Sequence, residues 1–202
     1  MIPIVLASGS PRRRALLAAL GIEFTVVSSG VHEVDEGTDP AEIVIANARM
    51  KRDDVLRRLE TPSLVIAADT LVFLEDQVLS KPRDLEEAHQ MLRALSGRTH
   101  QVITGLALAD ATRGTSCEGS ETSDVTFRVL SDEEIAHFVH AVKPLDRAGA
   151  YTVDGPGSLL VERYGGCFQN VLGLPMVRLD RLLRELGYSL FEIMDGPKAS
   201  FL

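Results

Sequence analysis

Short apolar runs alternate along the chain with stretches whose apolar residues recur every three or four positions, the pattern of an α/β protein. Ile4-Val5-Leu6-Ala7 is apolar throughout and predicts a buried strand. A helix from Ser10 to Leu20 follows: Ser10 suits the N-cap, Pro11 the first helical position and Gly21 the C-terminal end. Phe24–Val27 predicts a second strand, 28–39 a polar loop, and Pro40 to about Leu59 a helix. Leu64–Ala68 is the most strand-like run. It meets Asp69-Thr70, continues through Leu71–Leu74, and turns at Glu75-Asp76-Gln77.

Farther on, Asp84 with Glu87 predicts a capping box before a helix that stops at Ser96-Gly97. Gln101–Leu108 predicts a strand, 110–121 a polar loop, and Thr122–Val129 a half-buried strand. Ser131 and Glu134 frame another capping box, opening a helix to about Ala141. The glycine-rich stretch 146–173 predicts loops and short strands. Pro175 opens a final helix with Leu179, Leu182, Leu183 and Leu186 on one face and Gly187 at its end, and the tail after Tyr188 carries no pattern that predicts order.

Composition narrows the function. The 202 residues carry 29 acidic and 21 basic side chains, a formal net charge of -8, which argues against sequence-independent binding of nucleic acid. Only 2 cysteines are present, without C-x-x-C spacing, which fits a reducing compartment. The 5 histidines show no metal-site spacing. The N-terminus lacks a signal-peptide pattern, and no apolar run reaches the roughly 18 residues of a membrane span. Phosphate-loop, dinucleotide and nucleophile-elbow motifs are absent.

Several positions carry candidate chemistry. In Ala7-Ser8-Gly9-Ser10-Pro11-Arg12-Arg13 a strand gives way to a helix, and a helix N-terminus with hydroxyls and guanidinium groups favours an anion. Asp69, where an apolar run meets Thr70, is placed to orient water or hold a cation. Lys81, beside Pro82, could meet a phosphate, and Lys51 and Glu33 are ambiguous in isolation. Each also has a plain alternative: a capped surface helix, a turn aspartate, a solvated lysine.

Together these motifs resemble the Maf family over nearly the whole chain. Leu6–Arg13 looks like its S-x-S-P-R-R signature, Ala68-Asp69-Thr70 like its A-D-T, and Ser80-Lys81-Pro82 stands for its G-K-P. Ser96–Gly105, Asp146–Tyr151 and Asn170–Pro175 are similar to its S-G-R-x-H-x-V-x-T-G, D-K-A-G-A-Y and N-V-V-G-L-P. The resemblance implies one domain over 1–202, with two lobes around a deep cleft. It implies an elongated α/β fold with a mixed, bent β-sheet flanked by helices, related to the inosine triphosphate pyrophosphatases. It implies hydrolysis between the α- and β-phosphates, assisted by Mg²⁺ or Mn²⁺, by a cytoplasmic enzyme. Carried over by position, Asp69 is the general base, Ser8, Arg12, Arg13, Lys51 and Lys81 hold the triphosphate, and Glu33 joins Asp69 in holding metal or water.

Arg12 and Thr70 resemble the branch of the family acting on dTTP and UTP. Asp154 departs from it, since that branch carries glutamine there; Ser80 and Arg52 are smaller departures. The alternatives are another modified or purine nucleotide, such as 7-methylguanosine triphosphate, and a nucleotide-binding regulator of septum formation. The implied partner is the nucleotide. Homodimers occur in the family, and no interface stripe stands out in the sequence.

Overall fold

The computed structural model describes residues 2–35, 37 and 39–200, in two compact units. The first takes in the chain up to Asp69, Thr104–Glu121 and the chain from Gly173 onward. The second takes in Thr70–Ile103 and Thr122–Leu172.

In the first unit, β1 (Ile4–Ala7) runs parallel to β2 (Thr25–Val26) and to β3 (Leu64–Leu74), with Leu6 opposite both Val26 and Ile66. Parallel strands covered on both faces read as unbroken apolar runs, as β1 and the start of β3 do. Helix α1 (Pro11–Ala18) begins on Ser10, and Gly21 takes a left-handed φ of 71° just beyond its end. Helix α2 (Pro40–Arg58) is capped by Asp39, which accepts from the Ala41 amide at 2.9 Å. Glu42 in its first turn and Arg57 and Arg58 in its last complement the helix dipole. Val55 packs its apolar side on Val5, Ala7, Val65 and Ala67.

Two expectations fail in this unit. Residues 110–121 were expected to loop, yet β6 (Thr115–Phe127) already begins at Thr115. Its first half, Thr-Ser-Cys-Glu-Gly-Ser-Glu, lacks an apolar pattern because its pairing with the sheet, rather than side-chain burial, defines it as strand. The tail is ordered as well from Tyr188 to residue 200. After α6 (Met176–Glu185), Ser189 caps the short α7 (Leu190–Ile193), so the helix opened by Pro175 is not the last. The Asp195 amide donates to Leu20 O at 3.2 Å and the Ser200 amide to Ala19 O at 3.0 Å. This anchoring uses backbone hydrogen bonds, which leave no apolar stripe to read.

In the second unit, the last residues of β3 pair antiparallel with β4 (Gln77–Leu79), a strand not anticipated, across a turn where Glu75 has φ 55°. Helix α3 (Leu85–Leu95) has half the expected box. The Glu87 amide donates to Asp84 Oδ1 at 2.8 Å, but the Glu87 carboxylate accepts from the Arg83 amide instead of closing on Asp84. Helix α4 (Asp132–Val142) has the complete box between Ser131 and Glu134. Strand β5 (Thr99–Asp110) precedes β6, which pairs antiparallel with β7 (Val161–Gly165); α5 (Phe168–Val171) follows. Leu92, Leu95, Phe127, Ile135 and Leu160 fill the core of this unit.

Strand order is β2-β1-β3-β5-β6-β7, with β4 on β3, so parallel and antiparallel pairs mix in one open sheet with helices beside it. Among the described residues no helix is long and apolar enough to cross a membrane.

Candidate functional site

The first unit gathers most of the candidate residues around the end of β1 and the middle of β3. Ser8 follows β1 directly and is buried. Its hydroxyl accepts from Arg13 Nη1 at 3.1 Å, and Arg13 Nε donates to Gly173 O at 2.8 Å. Arg13 is therefore an inward strut, bracing the turn between β1 and α1. Burial lowers its pKa, Asp69 and Glu33 act against that shift, and neighbouring Arg12 adds to it. Arg12, one position earlier, is half-buried. The sequence thus brings a cationic turn into the electrostatic reach of both acidic candidates.

Asp69 is 3% exposed, which explains why it needs charged or hydrogen-bonding partners. Its Oδ1 lies 2.6 Å from Lys51 Nζ, and its Oδ2 accepts from Asn47 Nδ2 at 2.9 Å. Glu33 Oε1 meets the same Lys51 Nζ at 2.7 Å. One buried ammonium therefore holds two carboxylates together.

Helix α2 makes this possible. Asn47, Lys51, Asp54 and Arg58 fall within a stripe about 60° wide at 100° per residue. Each reaches either the loop before the helix or β3. Asp54 Oδ2 accepts from Ser29 Oγ at 2.9 Å and the Gly30 amide at 3.2 Å, while Arg58 Nη2 donates to Ser28 O at 2.8 Å. Asn47 grips Val34 and Lys51 grips Glu33.

The sequence reading missed Asn47. The available signal was a polar residue four positions before Lys51, on the helix that buries Ile43, Val44, Ala48 and Val55.

The remaining candidates belong to the second unit. Thr70 continues β3 and is half-buried. Lys81 is exposed just after β4, and the preceding Ser80 carbonyl accepts from the Gly149 amide at 3.2 Å, tying the Ser-Lys-Pro turn to the Asp146–Tyr151 segment. Asp154 is exposed and accepts a hydrogen bond from Thr152 Oγ1. In the same unit His100 is buried, 2.6 Å from the Tyr151 hydroxyl through Nε2, and both rings meet Phe127 edge-on. Burial pushes the His100 pKa down to about 4 and raises that of Tyr151.

Among the described residues no cluster of three or more His, Cys, Asp or Glu could hold a metal alone. Glu33 and Asp69 nonetheless converge on one cation, Lys51. Two carboxylates that share one cation are oxygen donors of the kind that suits Mg²⁺, which keeps few protein ligands.

A family profile described as Maf-like protein matches residues 3–186. A dTTP/UTP pyrophosphatase of Caldicellulosiruptor bescii is 44% identical over 193 residues, covering 94% of this chain and 97% of that protein. One from Escherichia coli O157:H7 is 45% identical over 184 residues, covering 91% and 92%. One from Carboxydothermus hydrogenoformans is 42% identical over 185 residues, covering 92% and 99%. Among solved structures, the Staphylococcus aureus Ham1 protein is similar over 62% of this chain and 71% of that one, with a TM-score of 0.44 at 16% identity.

Proposed function

Because this chain belongs to the Maf family, we propose that it is a nucleoside triphosphate pyrophosphatase, hydrolysing dTTP and UTP to the monophosphate and pyrophosphate. The observation carrying this reading is the buried Asp69 carboxylate, held by Lys51 and Asn47 within the electrostatic reach of the Ser8–Arg13 turn.

Hydrolysis of the α,β-phosphoanhydride adds water across the bridge and leaves negative charge on pyrophosphate. Asp69 takes the proton of the attacking water, which a carboxylate with spare lone pairs can do. Arg12, with the α1 N-terminus, binds phosphate oxygens and stabilises the developing charge. Arg13 holds Ser8 toward the same turn. Lys51 draws Glu33 and Asp69 together, and Lys81 supplies a further phosphate contact. Glu33 and Asp69 are the residues that would hold Mg²⁺ or Mn²⁺; when bound, the ion neutralises phosphate charge and acidifies water.

Base choice centres on Arg12, Thr70 and Asp154. An ionised Asp154 accepts from a pyrimidine N3–H but cannot donate to a base carbonyl, as glutamine would. The cytoplasm, where nucleoside triphosphates reside, is the proposed location, and a homodimer belongs to the same reading.

The test is a panel of purified nucleotides (dTTP, UTP, the other common triphosphates and 7-methylguanosine triphosphate) incubated with Mg²⁺ or Mn²⁺, with monophosphate and pyrophosphate quantified. Release of orthophosphate, or no turnover of any of them, rejects the reading. Preference for the methylated guanosine would replace the pyrimidine assignment. Asp154→Gln is expected to shift the ratio of dTTP and UTP cleavage; an unchanged ratio removes Asp154 from base reading.

A further inference from the structure

We infer that Asn47 is a positioning residue for this hydrolysis, one that locks the Asp69 carboxylate and the Glu33 loop to each other through a single side-chain amide. The inference rests on the reading of Asp69 as the base.

Asn47 is 0% exposed, and its three hydrogen bonds connect segments distant in sequence. Its Oδ1 accepts from the Val34 amide at 2.8 Å, and its Nδ2 donates to Val34 O at 2.7 Å. The amide thus stands in for a neighbouring strand at Val34, the residue after Glu33. The second Nδ2 hydrogen goes to Asp69 Oδ2 at 2.9 Å.

Asparagine meets a narrow demand here. Val34 requires an acceptor and a donor side by side, and Asp69 requires a second donor. Aspartate keeps the shape but offers no donor when ionised; leucine fills the volume but leaves the buried Asp69 Oδ2, and the Val34 amide and carbonyl, without this partner.

The consequence for chemistry is orientation. Lys51 takes Oδ1 of Asp69 and Asn47 takes Oδ2, so the plane of the carboxylate is fixed by a partner on each oxygen. The lone pairs left over then point in set directions, and a proton acceptor works only when aimed at the water it deprotonates. Because the same amide grips Val34, Glu33 is registered against Asp69 through Asn47 as well as through Lys51. Partners that orient catalytic and metal-binding groups in this way are each worth about 10- to 100-fold in activity or metal affinity.

The experiment compares wild type, Asn47→Asp and Asn47→Ser, each checked for folding by circular dichroism and thermal unfolding, with the triphosphate that wild type cleaves best. The folded variants are expected to lose about 10- to 100-fold in kcat, with KM changed less than about threefold because the phosphate contacts lie elsewhere. On an Asp69→Asn background the same changes should cost less than about threefold further, since the group they orient is gone. Mn²⁺ binding, followed by electron paramagnetic resonance with an α,β-imido triphosphate that cannot be cleaved, should weaken in the Asn47 variants. Folded variants of both kinds with wild-type kcat, or full additivity with Asp69→Asn, overturn the inference. Wild type that cleaves no triphosphate overturns the functional reading beneath it, and a variant set that merely lowers Tm while kcat and Mn²⁺ binding stay intact assigns Asn47 to stability alone.

Discussion

At the scale of single residues, charge and hydrogen bonding decide what each buried polar group can do. Asp69→Asn keeps the shape of the side chain but removes the proton acceptor, and its kcat is expected to fall at least ~10²-fold. Steady-state assays on a folded variant check this, and turnover near wild type would take the base role from Asp69. His100 offers a separate test. Burial sets its folded pKa near 4, below the ordinary 6.5, so the fold favours the neutral ring. The stability it contributes is complete above about pH 6.5 and is lost as pH falls toward 4, by up to about 3 kcal/mol. Urea unfolding of wild type between pH 7.5 and 4 should therefore steepen relative to His100→Gln; parallel curves would refute the shift.

At the scale of elements, α2 is the part that converts sequence into a site. Its polar stripe holds the 28–34 loop and Asp69, and its position depends on a glycine in another element. A Cβ on Gly105 of β5 would lie 2.3 Å from Val44 O and 2.6 Å from the Ile45 amide nitrogen, both backbone atoms of α2. No rotamer change relieves such a contact, so Gly105→Ala must push helix and strand apart. The expected cost is about 1–3 kcal/mol, at roughly 2–4 °C of Tm per kcal/mol for a chain of this size. A fall in kcat should accompany it, because Asn47 and Lys51 move with the helix. Calorimetry and kinetics on the same sample test both parts. Ser131→Ala is the contrast: losing the box on α4 should cost about 1 kcal/mol and leave kcat unchanged, since α4 carries no site residue. Both glycine and cap stand in plain view in the sequence, yet only the cap announces its purpose there. A capping box is a local pattern, whereas the partner of Gly105 lies about sixty residues earlier in the chain.

At the scale of the whole molecule, the proposal concerns a polyanionic substrate meeting a protein of net charge -8. Cations must then be concentrated locally, and the divalent ion proposed above would add to them. Chelation with EDTA is expected to abolish turnover and Mg²⁺ or Mn²⁺ to restore it; activity persisting in metal-free buffer would exclude the metal-assisted route. Most of the order of strands and helices, the Ser10 and Ser131 caps on α1 and α4, and the apolar strand that leads into Asp69 were legible from the chain alone, because periodicity and capping are local properties. The strand at Thr115–Glu121, the ordered tail, Asn47, and the sharing of Lys51 between Glu33 and Asp69 were settled only in three dimensions. Buried polar groups choose partners by where the backbone brings them, and a linear pattern records which side chain can donate or accept but not which one it will face.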